Sequence, residues 1–158
     1  MKFAVSLCLA SLMLPAARPA AAGGPAPDST AIVADTTLSF GLEIGSRLYP
    51  EWKEEQTVKL QDGFYLADTD LTARLVAFVP DFRIIDKKVR SVSPRMGNPA
   101  AFVIVESDSG AVDSTWAFLN FPPHFSPKSF FTFRLREVTG YVEPVDTRAA
   151  PVADEKEK

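Results

Sequence analysis

The chain has 158 residues, with 17 Lys and Arg against 20 Asp and Glu, a formal net charge of -3, one Cys and one His. That length allows one ordinary domain, or a domain with a tail. The acidic balance argues against a general nucleic-acid binder, and a single Cys and a single His exclude an internal disulfide, a Cys-rich zinc or iron–sulfur site and a His-rich metal site.

The N-terminus reads as an address. Met1-Lys2 gives a positive start, Phe3 to Leu14 is a continuous apolar run, and Pro15 breaks it. Ala20-Ala21-Ala22 before Gly23 supplies the small residues of a signal-peptidase site, so residues 1–22 are expected to be a secretory signal. The run is shorter than the roughly 20 apolar residues that span a bilayer, and Pro15 and Arg18 interrupt any extension into a retained anchor. Removing residues 1–22 takes away Lys2, Arg18 and Cys8 and no acid. The remainder then holds 15 basic and 20 acidic residues, net -5, and no thiol. A Cys nucleophile, a thiol oxidoreductase and covalent haem attachment through C-x-x-C-H are thereby excluded for the exported form.

Residues 23–29, opening Gly-Gly-Pro-Ala-Pro-Asp, read as a linker. Residues 30–145 read as one domain and residues 146–158 as a disordered charged tail. Thirteen Pro and twelve Phe favour short strands and loops in that domain over long helices. Leu48 to Lys59 is the one stretch with room for a helical turn or two, around Glu51-Trp52-Lys53-Glu54-Glu55. From Leu71 to Val79, residues Leu71, Ala73, Leu75, Ala77 and Val79 share one strand face and Val76 and Phe78 take the other. Ala101 to Val105 is a short apolar run, and Val112 to Phe121 starts mixed and becomes apolar on both faces. Strands of that kind are central or covered on both sides. Phe131-Thr132-Phe133-Arg134-Leu135-Arg136 alternates strictly, with both Arg facing water. Turn signals stand at Asp62-Gly63, Val79-Pro80-Asp81, Asp86-Lys87-Lys88, Gly97-Asn98-Pro99, Ser109-Gly110 and Pro122-Pro123. Their spacing predicts an all-β, antiparallel β-sandwich or barrel-like domain of about eight strands, with disordered termini.

Reactive constellations are sparse. His124 lies in Phe121-Pro122-Pro123-His124-Phe125, which reads as a surface turn rather than a triad member, and no G-x-S-x-G elbow exists. Asp68-Thr69-Asp70 has a D-x-D order, but the Gly and Glu of a calcium loop are missing, so a turn into the next strand is the favoured reading. No Gly-rich phosphate cradle is present. Lys87, Lys88, Arg90 and Arg95 suit an acidic ligand or, as we prefer, a solvated hairpin tip with edge-protecting Lys. The aromatics Trp116, Phe118, Phe121, Phe125, Phe130, Phe131 and Phe133 suit either an apolar groove or, preferentially, a core. The expectation is therefore a domain with no catalytic residue, no metal site and no cofactor.

Phe78-Val79-Pro80-Asp81-Phe82 is followed by Ser91-Val92-Ser93, then by Asn98-Pro99-Ala100 and a strand, and further on by Trp116-Ala117-Phe118 and Phe121-Pro122. This order resembles the extracytoplasmic domain of the ResB-type cytochrome c biogenesis proteins over about residues 70–137. Pro80 ends a strand and Asp81 caps its turn, Asn98-Pro99 fixes an extended lead into the next strand, and Trp116 and Phe118 share a face that fills a core. The resemblance implies a soluble domain of that fold. Proteins of that family work with a membrane partner to deliver haem to exported apocytochrome c. Their membrane helices carry much of that role, including haem-associated histidines. No stretch of this sequence has the length of such a helix, and His124 matches none of the motifs. The family's Tyr-x-Gly-Leu segment and following Asp-Pro-Gly are also absent, with Val138-Thr139-Gly140-Tyr141-Val142 in their place.

The sequence thus predicts an exported, periplasmic or otherwise extracytoplasmic, non-enzymatic binding or scaffolding module. Its expected partner is an envelope protein, with cytochrome c assembly components as the candidates and no nucleic acid. Expected binding residues are Pro80, Asp81, Phe82, Ser93, Asn98 and Pro99, because loops on a rigid sandwich commonly carry function, together with Trp116 and Phe118. The alternatives are a domain binding a lipid, sugar or haem in an aromatic-lined pocket, and an enzyme of unrecognised type.

Overall fold

The computed structural model describes residues 37–123, 128 and 130–144. Among them are nine strands and no helix: β1 (Ser39–Ser46), β2 (Lys53–Lys59), β3 (Gly63–Tyr65), β4 (Thr72–Val79), β5 (Phe82–Ile85), β6 (Lys88–Ser91), β7 (Ala100–Ser107), β8 (Gly110–Phe118) and β9 (Phe131–Thr139). Every pairing between these strands is antiparallel. The strands form a three-stranded sheet of order β2-β1-β9, a four-stranded sheet of order β3-β4-β7-β8 and the hairpin β5-β6. The all-β expectation holds, with one more strand than the turn count suggested. The stretches expected to be signal, linker and tail, with His124 and Phe125, lie outside the described residues.

The two larger sheets share one core. Phe40, Leu42 and Ile44 of β1 and Phe131, Phe133 and Leu135 of β9 meet Ala73, Leu75 and Phe78 of β4 and Val103 and Val105 of β7. Phe40 and Phe78 touch across the sheets, ring centroids 5.2 Å apart. A second core lies on the other face of the four-stranded sheet. There Ala77, Val79, Ala100, Phe102, Trp116 and Phe118 are covered by Val89 of β6 and Phe82 of β5. That is why β4, β7 and β8 read as apolar on both faces.

Three bulges set which residues enter which core. On β4 the pairing passes from Leu75–Val103 to Ala77–Phe102, leaving Val76 unpaired. A bulge reverses the alternation beyond it. Ala73, Leu75 and Phe78 therefore face the inner core, while Val76, Ala77 and Val79 face the outer one. This corrects the strict alternation expected over Leu71 to Val79. Val112 is the extra residue opposite β7. Arg136 is the extra residue opposite β1, and its Nη2 lies 3.0 Å from Oε2 of the buried Glu43.

Two further expectations are corrected. Lys53 to Lys59 is not helical. It pairs with β1 as an edge strand, with Glu54, Gln56 and Val58 turned inward and Lys53, Glu55, Thr57 and Lys59 outward. Its alternation was hidden because Val58 is its only apolar residue. β8 ends at Phe118 rather than Phe121: Leu119 still donates its amide to Pro99 O at 3.1 Å, but Pro99 has no amide with which to return a bond. The Asp86-Lys87-Lys88 signal marks a real turn. Asp86 and Lys87 both have positive φ, 51° and 62°, the geometry of a two-residue hairpin turn whose twist matches its strands. Lys87, Lys88, Arg90 and Arg95 are all exposed, the first two at that tip. Among the described residues, no helix is long and apolar enough to cross a membrane.

Candidate functional site: the cleft at one end of the sandwich

The loops carrying the sequence-selected residues meet at one end of the fold. β4 stops at Val79 because Pro80 has no amide to continue the ladder. The chain then runs out through the hairpin and returns at Asn98, where Asp81 and Asn98 form a short parallel bridge. Phe82 N donates to Asn98 O at 2.9 Å, and Asn98 Nδ2 donates to Phe82 O at 3.1 Å. Asp81 N donates to Ser91 Oγ at 3.2 Å, and that hydroxyl donates to Ser93 O at 2.8 Å. Val92 N returns a bond to Asp81 O at 3.2 Å, and Arg95 N donates to Ser93 Oγ at 3.0 Å. Short polar side chains thus tie the backbone at both ends of the hairpin, the ordinary use of Ser, Asn and Asp in turns.

The chain beyond β9 fastens the same region. Tyr141 donates its hydroxyl to Pro94 O, and Met96 N donates to Glu143 Oε1 at 2.8 Å. The Tyr141 ring packs edge-on against Phe78, 5.7 Å between centroids. Burial first, and then the Glu143 carboxylate, raise the Tyr141 pKa above its ordinary 10.0.

These ties surround an open cleft of about 420 Å³, lined by Asp81, Arg83, Gly97, Asn98, Asn120 and Phe121. Asp81 is only 8% exposed. Among the described residues neither of its carboxylate oxygens accepts a hydrogen bond, and the closest cation, Arg83 Nε, is 4.0 Å away. Gly97 lies close beside it, and a Cβ there would sit 3.0 Å from Asp81 Oδ1, so a side chain at this position would press the carboxylate aside by a few tenths of an ångström. Asn98 Oδ1 is buried without a partner. Asn120 Nδ2 reaches Gly97 O at 3.5 Å. Phe121, 48% exposed, leans edge-on against Phe118 with centroids 6.0 Å apart.

No protein-family model, curated protein or solved structure matches this chain.

Of the sequence-selected residues, Asp81 and Asn98 line the cleft. Ser93 and Phe82 hold its frame through the bonds above, and Pro80 and Pro99 are buried beneath it. Trp116 and Phe118 belong to the outer core, each stacked edge-on against Phe82 with centroids 4.9 Å apart. Their role here is to support the loop end from below. Phe133, one of the aromatics suited to either a groove or a core, is fully buried in the inner core. Asp68 and Asp70 are exposed in a turn closed by Thr69 Oγ1 donating to Leu66 O at 2.6 Å. Among the described residues no three His, Cys, Asp or Glu are grouped to hold a metal ion.

Arg83, Gly97 and Asn120 escaped the sequence reading as cleft residues. Arg83 stands two places after the selected Asp81, so an acid–base pair on a hairpin was the available signal. Asn120 had no local signal, because it reaches the cleft only through the pairing of β8 with β7.

Proposed function

We propose that this chain is a non-catalytic binding module of the cell envelope, exported by a cleaved signal, whose binding face is the cleft end of the sandwich. The observation that carries this reading is the convergence of the 80–83, 91–99 and 119–121 segments, by side-chain ties, on one open cleft floored by the buried Asp81 carboxylate. A largely buried carboxylate with no described hydrogen-bond donor, and Arg83 Nε 4.0 Å away as its nearest described cation, is costly for a fold to keep. It is tolerated where a ligand supplies what the protein does not, and pre-tied loops lower the ordering cost of binding.

The resemblance to the ResB soluble domain supports an envelope protein, in particular a cytochrome c assembly component, as the partner. The motif residues of that resemblance are the ones that build this end. The test is a pulldown of the exported protein from envelope extracts, with haem added and withheld, using the native chain and Arg83→Glu. Recovery of cytochrome c assembly components by the native chain, lost in Arg83→Glu, is the expected result. Equal recovery by both forms, or none by either, would contradict the reading.

A further inference from the structure

The polar groups of the cleft constrain what can occupy it, and this step rests on the reading of that end as the binding face. Asp81 presents a largely buried carboxylate that accepts no hydrogen bond from the described residues, so an occupant that donates to it gains a bond the described protein does not supply. Arg83 stands on the rim with its Nε 4.0 Å from Asp81 Oδ1 and its side chain largely in solvent. The cleft therefore carries one charge of each sign. A lone cation meets the guanidinium and a lone anion meets the carboxylate, so neither gains from both groups. An occupant bearing several carboxylates is the least suited, because desolvation beside a buried carboxylate costs most for a like charge.

The remaining lining narrows the class further. Asn120 offers both an amide donor and a carbonyl acceptor, and among the described residues its one side-chain bond is the long 3.5 Å contact to Gly97 O. Hydroxyl groups, which donate and accept at once, match a carboxylate, a guanidinium and an amide together. Beside these polar groups Phe121 presents a half-exposed ring that Phe118 holds edge-on. A ring with hydroxyls on its rim and C–H bonds on its face fits such a combination of polar floor and aromatic wall. Gly97 keeps the carboxylate accessible, since any side chain there would press on Asp81 Oδ1.

We propose that the cleft formed by Asp81, Arg83, Asn98, Asn120 and Phe121 is a binding site for a neutral saccharide ring. The hydroxyls bind Asp81 and Arg83, and the sugar's apolar face lies on Phe121. The site is shallow and open, so the affinity expected for a single ring is in the range of about 1 mM.

The test is a titration of the full chain with glucose, N-acetylglucosamine and cellobiose, followed by amide chemical shifts. The expected result is saturable shifts for at least one of the three, centred on residues 81–83, 97–98 and 119–121. Asp81→Asn should weaken binding about tenfold or more. Phe121→Ala, at an exposed ring, should weaken it about three- to tenfold. Should Asp81→Asn fail to fold, Phe121→Ala and Arg83→Ala carry the test, since both side chains are exposed. Three silent sugars, shifts centred elsewhere, or affinities unmoved by Phe121→Ala would overturn the proposal. So would glycine saturating the same residues while the sugars do not, because the occupant would then be a zwitterion. If the sugars are silent while a protein partner is still recovered in an Arg83-dependent way, the saccharide inference falls and the binding face stands.

Discussion

The two faces of the four-stranded sheet are filled by different chemistry for different ends. The inner face meets a second sheet through Leu38, Leu42, Ile44, Leu75, Val103 and Leu135 around Phe40, Phe78 and Phe133, residues drawn from both ends of the described chain. The outer face is a floor of small residues, Ala77, Val79 and Ala100. On it, Trp116 and Phe118 flank one wedge, Phe82, and Phe102 packs on Trp116, each pair with ring centroids 4.9 Å apart. Among the described residues its cover is a single short hairpin closed by local pairing. The inner core is therefore the fold, and the outer core is the mounting of the cleft. Losing the inner core must unfold the chain, while losing the outer one should first release the hairpin and the loops tied to it.

That difference can be broken by substitution. Phe133→Ala, at a fully buried inner position, should cost about 3–5 kcal/mol, read as a lowered denaturant midpoint with the slope unchanged. Phe82→Ala, at the half-buried wedge of the outer core, should cost about 1–3 kcal/mol. Amide exchange should accelerate in residues 82–91 and 97–99 while β1 stays protected. Uniform acceleration across both sheets would show that the two cores open together. Gly97→Ala should cost about 1 kcal/mol, because its Cβ presses on the Asp81 carboxylate, and its shift changes should stay within the cleft.

Two smaller effects sharpen the picture. Lys87→Gly should stabilise the hairpin by about 0.5 kcal/mol, since Lys87 sits at φ 62°, where a side chain is disfavoured and Gly is not. The Tyr141 tie should show in pH. Its pKa is raised in the folded state, so folding favours the protonated phenol. The contribution is whole below the ordinary 10.0 and is lost as pH rises through the higher folded value. Tyr141→Phe should remove that part of the alkaline decline while losing the bond to Pro94 O.

Much of this architecture is legible in the sequence, and what is hidden has a physical reason. The alternation of Phe131 to Leu135 and the two-faced apolarity of β7 and β8 are local patterns, and they identify their strands and the layers around them. Pro80, Asn98 and Pro99 mark strand ends because proline's missing amide acts at its own position. A bulge, by contrast, is a property of a pairing. Val76 looks like any strand residue until Ala77 is seen opposite Phe102, so the exchange of Ala77 and Phe78 between cores cannot be read along one strand. β2 is hidden because an edge strand needs only a few inward residues, and Glu54 and Gln56 are poor markers of burial. Within the site, Asp81 and Asn98 were each visible as turn residues. Their pairing across the hairpin excursion, and the approach of Asn120 and Phe121 from β8, follow only from the sheet order.

The central claim is that the molecule binds at the end mounted on the outer core. It is tested most directly by site-specific photo-crosslinking in cells, with a photoreactive residue at Phe121 or at Val112. Both positions are exposed and both flank or belong to β8, and Val112 lies toward the opposite end of that strand. The account predicts discrete crosslinked products from position 121, lost when Arg83 is changed to Glu, and none of the same products from position 112. Equal products from both positions, or products from 112 alone, would contradict it.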